Sequence, residues 1–208
     1  MPSQKTIPQV RSPQRKRGRE RVAALLDAAA LCFVEKGYDA STMTEIAARA
    51  EASIGSLYQF FPTKEVLAQA LMAEHSKVLF ARMDRLDSRA ASWNSDELAA
   101  RLIRLFVDFR RKHPSFAVLV EAHAAASAEQ GPGIRQEVRD RLCSILHNHL
   151  PTHPLPSLRA PAMVVQQLMK AAVALQIESS TATRHAAQTQ LRRALQLYLH
   201  DLARHASP

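Results

Sequence analysis

"STMTEIAARAEASIGSLYQFFPTKE", residues 41–65, is the stretch on which the fold turns. Thr42 precedes Glu45 by three residues, the spacing of a capping box that opens a helix. The helix "MTEIAARA" then sets Ile46, Ala47 and Ala50 on one side. Ser53 is a second N-cap residue, and Pro62 ends the helix that follows it, because proline cannot continue the hydrogen-bond ladder. In "SIGSLYQFF", residues 53–61, Leu57 and Phe60 face inward. Ser53, Ile54, Gly55, Ser56 and Gln59 are left facing outward. Ala47 is small where two helices would cross. Two short helices joined by about three residues are the pattern of a short helical hairpin or of a helix-turn-helix, whose second helix lies in a DNA major groove; the uncharged polar face of the second helix and the basic segment before the head favour the helix-turn-helix.

Outward from this stretch, the chain of 208 residues is 47 % hydrophobic and has only five glycines. Ala, Leu, Arg, Glu and Gln dominate, and these are good helix formers. The fold class expected is all-α: an N-terminal three-helix head and a C-terminal six-helix body. The head's first helix is "ERVAALLDAAALCFVEK", with Val22, Leu25, Leu26, Ala29 and Phe33 at helical spacing. Gly37 stops it, since glycine accepts the left-handed conformation. A long fourth helix runs from Lys64 to about Leu86. Further helices follow over 95–112, from Pro114, from Ile134 to Leu150, over 161–179 and over 184–204. The boundaries expected are an arm at 1–18, a DNA-binding domain at 19–63, and a ligand-binding and dimerisation domain at 64–208.

The net charge is +9. Residues 1–21 hold seven basic residues against Glu20, so six of those nine charges sit in a tenth of the chain. Such an arm is expected to be disordered alone and drawn to polyanions. Arg15, Lys16, Arg17 and Arg19 are its candidate DNA contacts. An arginine can enter the minor groove, or the arm can act only through counterion release; the second reading is favoured.

Cys32 and Cys143 are far apart, with no CxxC, so neither a disulfide framework nor a zinc site is expected. No apolar run of signal-peptide or membrane-spanning type occurs, and a soluble, cytoplasmic protein without membrane contact is expected. HExxH, a Walker glycine loop and GxSxG are missing. His147 and His149 diverge on a helix and cannot share a metal. The chain is expected not to be an enzyme and to need no metal or cofactor.

The segment "STMTEIAARAEASIGSLYQFFPTKEVLAQAL", residues 41–71, closely resembles the DNA-binding segment of the tetracycline-repressor (TetR) family. The likeness rests on Thr44, Ile46, Ala47, Ala50, Ser53, Gly55, Leu57, Tyr58, Phe61, Lys64, Glu65 and Leu67, with "FVEKGYDAST" before them. It extends from about Arg19 to Leu71. It implies a homodimer on double-stranded operator DNA, with a small-molecule effector in the body that alters head spacing and releases the DNA. Tyr58 resembles the family tyrosine that donates to a phosphate, and Lys64 its phosphate-binding lysine; an exposed salt bridge is the alternative for Lys64. Thr42 and Thr44 are expected at the backbone as well. Gln59 can pair with an adenine edge, and the serines can contact any base. Ile54 can meet a thymine methyl or serve as a partly covered staple. One residue departs from the family pattern: Glu51 stands where the turn usually has glycine. A left-handed residue with a side chain costs about 1 kcal/mol or more there.

The body is less legible. Phe106, Phe109, Phe116, Glu121, His123, Cys143, Gln166 and Met169 are the candidate effector pocket, for a hydrophobic or aromatic ligand; for the apolar ones among them ordinary core is the favoured role, because bundles need apolar faces. Val165, Met169, Leu191, Leu195, Tyr198 and Leu202 are the candidate dimer interface; the alternative is a monomer that buries the stripe internally, which is less favoured because a repressor must span two half-sites. The most favoured function is a homodimeric repressor released from a palindromic operator by its effector. The alternatives are a ligand-independent architectural protein, or an activator, with the same head.

Overall fold

The computed structural model describes residues 16–124, 133–177 and 180–205. Among these, nine α-helices and no strands occur. They are α1 (Lys16–Ala40), α2 (Met43–Arg49), α3 (Ile54–Phe60), α4 (Lys64–Asp87), α5 (Ser95–Lys112), α6 (Ser115–Ala124), α7 (Ile134–His149), α8 (Arg159–Ala174) and α9 (Thr181–Arg204). Short 3-10 turns lie at Ala90–Ser92, Leu155–Leu158 and Leu175–Ile177. The all-α expectation holds. So does the glycine stop in α1: Gly37 has φ 79° and ψ 168°, which breaks the helix although its hydrogen bonding runs on to Ala40.

The chain packs as two units. Of the described residues, one comprises 16–76 and 113–124, the other 77–112, 133–177 and 180–205. In the first, α1 turns Leu25, Ala29, Cys32 and Phe33 onto Ile46 and Ala47 of α2 and Leu57 of α3. Phe61, Leu67 and Leu71 join them, as does Leu119 of α6. Packing therefore recruits α6, a segment beyond the expected boundary at residue 63, into the core of the helix-turn-helix unit. Next to this core lies His75. Its Nε2 is 3.0 Å from Ser115 Oγ, and its ring is 4.7 Å from that of His113. Burial, reinforced by His113, pushes the His75 pKa down to about 4.

In the second unit, α5, α7, α8 and α9 surround Leu98, Leu102, Leu142, Leu146, Val165, Met169, Leu195 and Leu199, all buried. Polar cross-links lock it. Asp87 accepts from Ser144 Oγ and Asn148 Nδ2, each at 2.8 Å. Gln166 Nε2 donates to Arg135 O at 2.8 Å, and Arg139 Nε donates to Gln166 Oε1 at 3.3 Å. His149 lies 3.2 Å from Ser95 Oγ.

Two expectations for the body need correction. Val165, Met169 and Leu195 are fully covered within the single chain, so they cannot also form a dimer interface. Leu191, Tyr198 and Leu202 are half-buried on the same inward side of α9. Leu195 packs within its own chain, whereas Leu191, Tyr198 and Leu202 keep part of their surface exposed. The candidate pocket residues are not gathered in one place. Phe109, Cys143, Gln166 and Met169 are core residues, with Cys143 Sγ donating to Leu155 O and Gln166 serving as a cross-link. Two clefts of the second unit are lined by other residues, and Phe106 is half-buried outside both. Phe116 and Glu121 belong to the first unit, where Phe116 meets the His75 ring edge-on at 6.3 Å. The side chain of His123 lies outside the described residues.

The low pKa of His75 has a pH signature. Its unfolded imidazole titrates near 6.5, so between pH 6.5 and 4 the unfolded chain binds the extra proton and stability falls as pH falls. His75→Phe is expected to flatten the denaturant midpoint over this window and leave the slope below pH 4 unchanged.

Candidate nucleic-acid interface

The turn between α2 and α3 is built by main-chain bonds. Ala50 is the C-cap of α2. Beyond it, Glu51 N donates to Ala48 O at 3.1 Å and Ala52 N to Ala47 O at 2.9 Å. This pair of bonds is a Schellman motif, which needs a left-handed residue just past the cap. Glu51 supplies it with φ 49°, the one positive φ outside glycine among the described residues. The motif thus keeps its glycine-type geometry with a glutamate, and the exposed carboxylate projects to solvent.

Both helices are capped as the sequence implies. Glu45 N donates to Thr42 Oγ1 at 3.3 Å while Thr42 N donates to Glu45 Oε2 at 3.1 Å. Ser56 N donates to Ser53 Oγ at 3.1 Å. Thr42 also donates its hydroxyl proton to Glu45 Oε2, so in this conformation the cap occupies the group expected to reach DNA. Lys36 and the Thr42 groups hold the Glu45 carboxyl down at about 2.

On α3, Leu57 is fully buried and Phe60 half-buried. The remaining face is open. Ile54 is 40 % and Tyr58 48 % exposed; Ser53, Gly55 and Gln59 are exposed and Ser56 half-exposed. Thr44 is exposed on the first turn of α2. No charged side chain interrupts α3. A Cβ added to Gly55 would meet nothing within 4 Å, so the fold does not require glycine there.

Lys64 departs from both readings given to it. Its ammonium donates to Tyr38 O at 2.9 Å, Asp39 O at 3.0 Å and Ser41 O at 3.1 Å. It also lies 4.6 Å from the centre of the Tyr38 ring. Three donors are matched by three carbonyls, which leaves this lysine joining α4 to the end of α1 rather than facing a phosphate or an acid. Tyr38, partner to Lys64, went unassigned in the sequence; the signal was the Gly–Tyr pair that ends the first helix.

The other cations beside the turn are neutralised within the head. Arg49 Nη2 is 2.6 Å from Glu35 Oε2, and Lys36 pairs with Glu45. Free positive charge gathers instead at the start of α1. Lys16, Arg17 and Arg19 are exposed there, with Lys16 3.9 Å from Glu20. These residues are helical, which corrects the arm boundary at 18; the helix propensity of "KRGRERV" carries α1 back to Lys16. Arg15 lies outside the described residues.

Two substitutions test the interface. Gly55→Val is expected to leave the melting temperature equal or higher, since glycine in a helix costs about 1 kcal/mol, and to abolish sequence-specific DNA binding in a fluorescence-anisotropy titration. Glu51→Gly is expected to raise stability by about 0.5–1 kcal/mol by relieving the left-handed strain, measured by denaturant unfolding, and to strengthen DNA binding by removing an anion near the phosphates.

Comparison with known proteins agrees with this geometry. Residues 25–71 match the model of bacterial regulatory proteins of the tetR family. Residues 96–199 match the tetracyclin repressor-like C-terminal domain. Among curated relatives, the transcriptional repressor KstR of Mycolicibacterium smegmatis is 39 % identical over 74 residues, 35 % of this chain and 34 % of KstR. The chain thus spans about a third of that relative's length. A TetR-family regulator from Streptomyces coelicolor superposes with a TM-score of 0.60 at 25 % identity, over 89 % of this chain and 98 % of that one. CprB of the same organism, solved with its operator sequence, gives 0.57 at 21 % identity, over 87 % and 99 %. A helix-turn-helix head matched at one end and half of the chain matched at the other place this protein in the TetR family of transcriptional regulators, with a DNA-binding domain at its N-terminus.

Proposed function

We propose that this regulator is a homodimeric repressor that reads a palindromic operator through α3 and leaves it when a small molecule binds the body. The observation that supports this most directly is Gly55. It sits on an exposed, uncharged helix face, it costs helix stability, and its missing Cβ relieves no contact inside the protein. Close approach of an outside surface is the remaining use for it. On such a face Gln59 suits an adenine edge, Ser53 and Ser56 suit any base, and Ile54 suits a thymine methyl. Tyr58 and Thr44 would position the helix on phosphates, which carry no sequence information. Arg15, Lys16, Arg17 and Arg19 would supply the salt-dependent attraction.

Reading a palindrome requires two heads about 34–36 Å apart, hence two chains. The outward positions of α8 and α9 suit this pairing: Met163 is 45 %, Val164 42 % and Leu197 52 % exposed. An isologous contact of α8 and α9 with their symmetry mates would cover all three. KstR is called a repressor and CprB was solved on an operator; both support the repressor reading, and the cytoplasm, where the DNA lies, is its place of action. Release by a ligand follows if the ligand prefers a dimer geometry that DNA does not.

Selection of bound fragments from random DNA should return a palindrome, and a panel of metabolites should then contain one that releases it. Selection that enriches no sequence would overturn the reading. Leu197→Glu is expected to turn the dimer into a monomer by light scattering, with unchanged helical content and operator affinity at least tenfold weaker. Leu195→Ala should instead destabilise each chain by roughly 2–5 kcal/mol, as truncation of a buried leucine does.

A further inference from the structure

In the second unit, the end of α4 and the middle of α5 line an open cleft of about 510 Å³. Arg82, Arg85 and Arg89 recur at three- and four-residue spacing along one side. Arg101 and Arg104 recur likewise on α5. Arg82 and Arg85 lie on α4, Arg89 in the turn that follows it and Arg101 and Arg104 on α5, and all five line the same cleft. Between the two rows stands Trp93, with Arg101 Cζ 4.2 Å and Arg89 Cζ 5.5 Å from its ring centre. Stacking on an indole holds a guanidinium in place without consuming its N–H donors.

The five arginines make no ion pair among the described residues. The single acid lining the cleft, Asp108, is 3.2 Å from Arg111 outside it. Like charges gathered in a concavity repel one another and gain from a multivalent counterion. This contrasts with the head, where Arg49 and Lys36 each have a carboxylate. It contrasts also with Arg141 in the same unit, which holds both Asp84 and Glu137. Leu86 and Leu105 form an apolar floor between the two rows.

We propose that this cleft binds a small organic polyanion, a molecule with closely spaced phosphate or carboxylate groups. Guanidinium forks match both groups bidentately. The volume admits a metabolite and not a folded partner. The inference stands apart from the DNA-binding reading, because its test is read within the cleft.

Trp93 is the chain's one tryptophan, so its emission reports this cleft and not the basic N-terminus. The full-length protein is titrated with inorganic pyrophosphate and, separately, with citrate, each against sodium chloride of equal ionic strength. A saturable change in Trp93 emission with at least one anion, and none with chloride, is expected; which anion binds more tightly separates phosphate from carboxylate ligands. The double variant Arg82→Gln/Arg85→Gln leaves both guanidinium stacks on Trp93 in place and should weaken that binding at least tenfold. Arg135→Gln, a charge change elsewhere in the unit, should not. No saturable change with either anion overturns the proposal, as does equal affinity in the double variant. A duplex of 20 base pairs that alters Trp93 emission at lower concentration than both anions also overturns it, and assigns the surface to nucleic acid instead. Each of these outcomes leaves the operator selection unaffected.

Discussion

Three carbonyl groups at the end of α1 converge on one ammonium, and the arrangement of the head depends on that contact. Gly37 breaks α1, so the carbonyls of Tyr38, Asp39 and Ser41 have no full set of helical donors. Lys64 supplies three N–H groups to them and rests against the Tyr38 ring. Hydrogen bonds to a charged group contribute about 1.5–3 kcal/mol each. The lysine is the first residue of α4, so the same contact that closes α1 sets where α4 begins. Between its two ends lie α2, the Schellman turn and α3. Their placement follows from this bridge together with the buried Leu57 and Phe61.

A consequence is a division of labour by charge. The cations nearest the turn are spent on holding the head together, and α3 carries none. Among the described residues of the head, the exposed cations Lys16, Arg17 and Arg19 stand at the start of α1, away from α3. Electrostatic attraction to phosphates is insensitive to sequence, whereas hydrogen bonds to base edges depend on the base. In the proposed reading, separating the two in space would let α3 discriminate without a strong non-specific pull of its own. The cleft beside Trp93 follows the opposite rule: its five arginines are gathered without an ion pair among the described residues.

The helix-turn-helix was legible because local rules set it: two caps, a proline stop, inward Ile46, Ala47 and Leu57, and a neutral outer face. The left-handed turn at Glu51 was legible as a tension, and the structure resolves it in favour of the backbone. The main-chain bonds of the Schellman motif outweigh a preference of about 1 kcal/mol for glycine. The body was legible only as a set of helices. A stripe such as Leu191–Leu195–Tyr198–Leu202 has the same periodicity whether it meets its own chain or a second one. The arginines of the cleft lie on two helices and the turn between them, and nothing in their spacing alone shows that they converge.

The sequence by itself determined the helices, their caps and stops, the motif and the family, because each depends on residues within a turn or two of one another. Tertiary structure alone decided which apolar face of α9 is core, that Lys64 binds carbonyls, that α6 packs with the head, and that five arginines share one cleft. Those outcomes depend on which distant segments meet. Meeting is decided by total burial and by the matching of donors to acceptors across the whole chain, which no local pattern encodes.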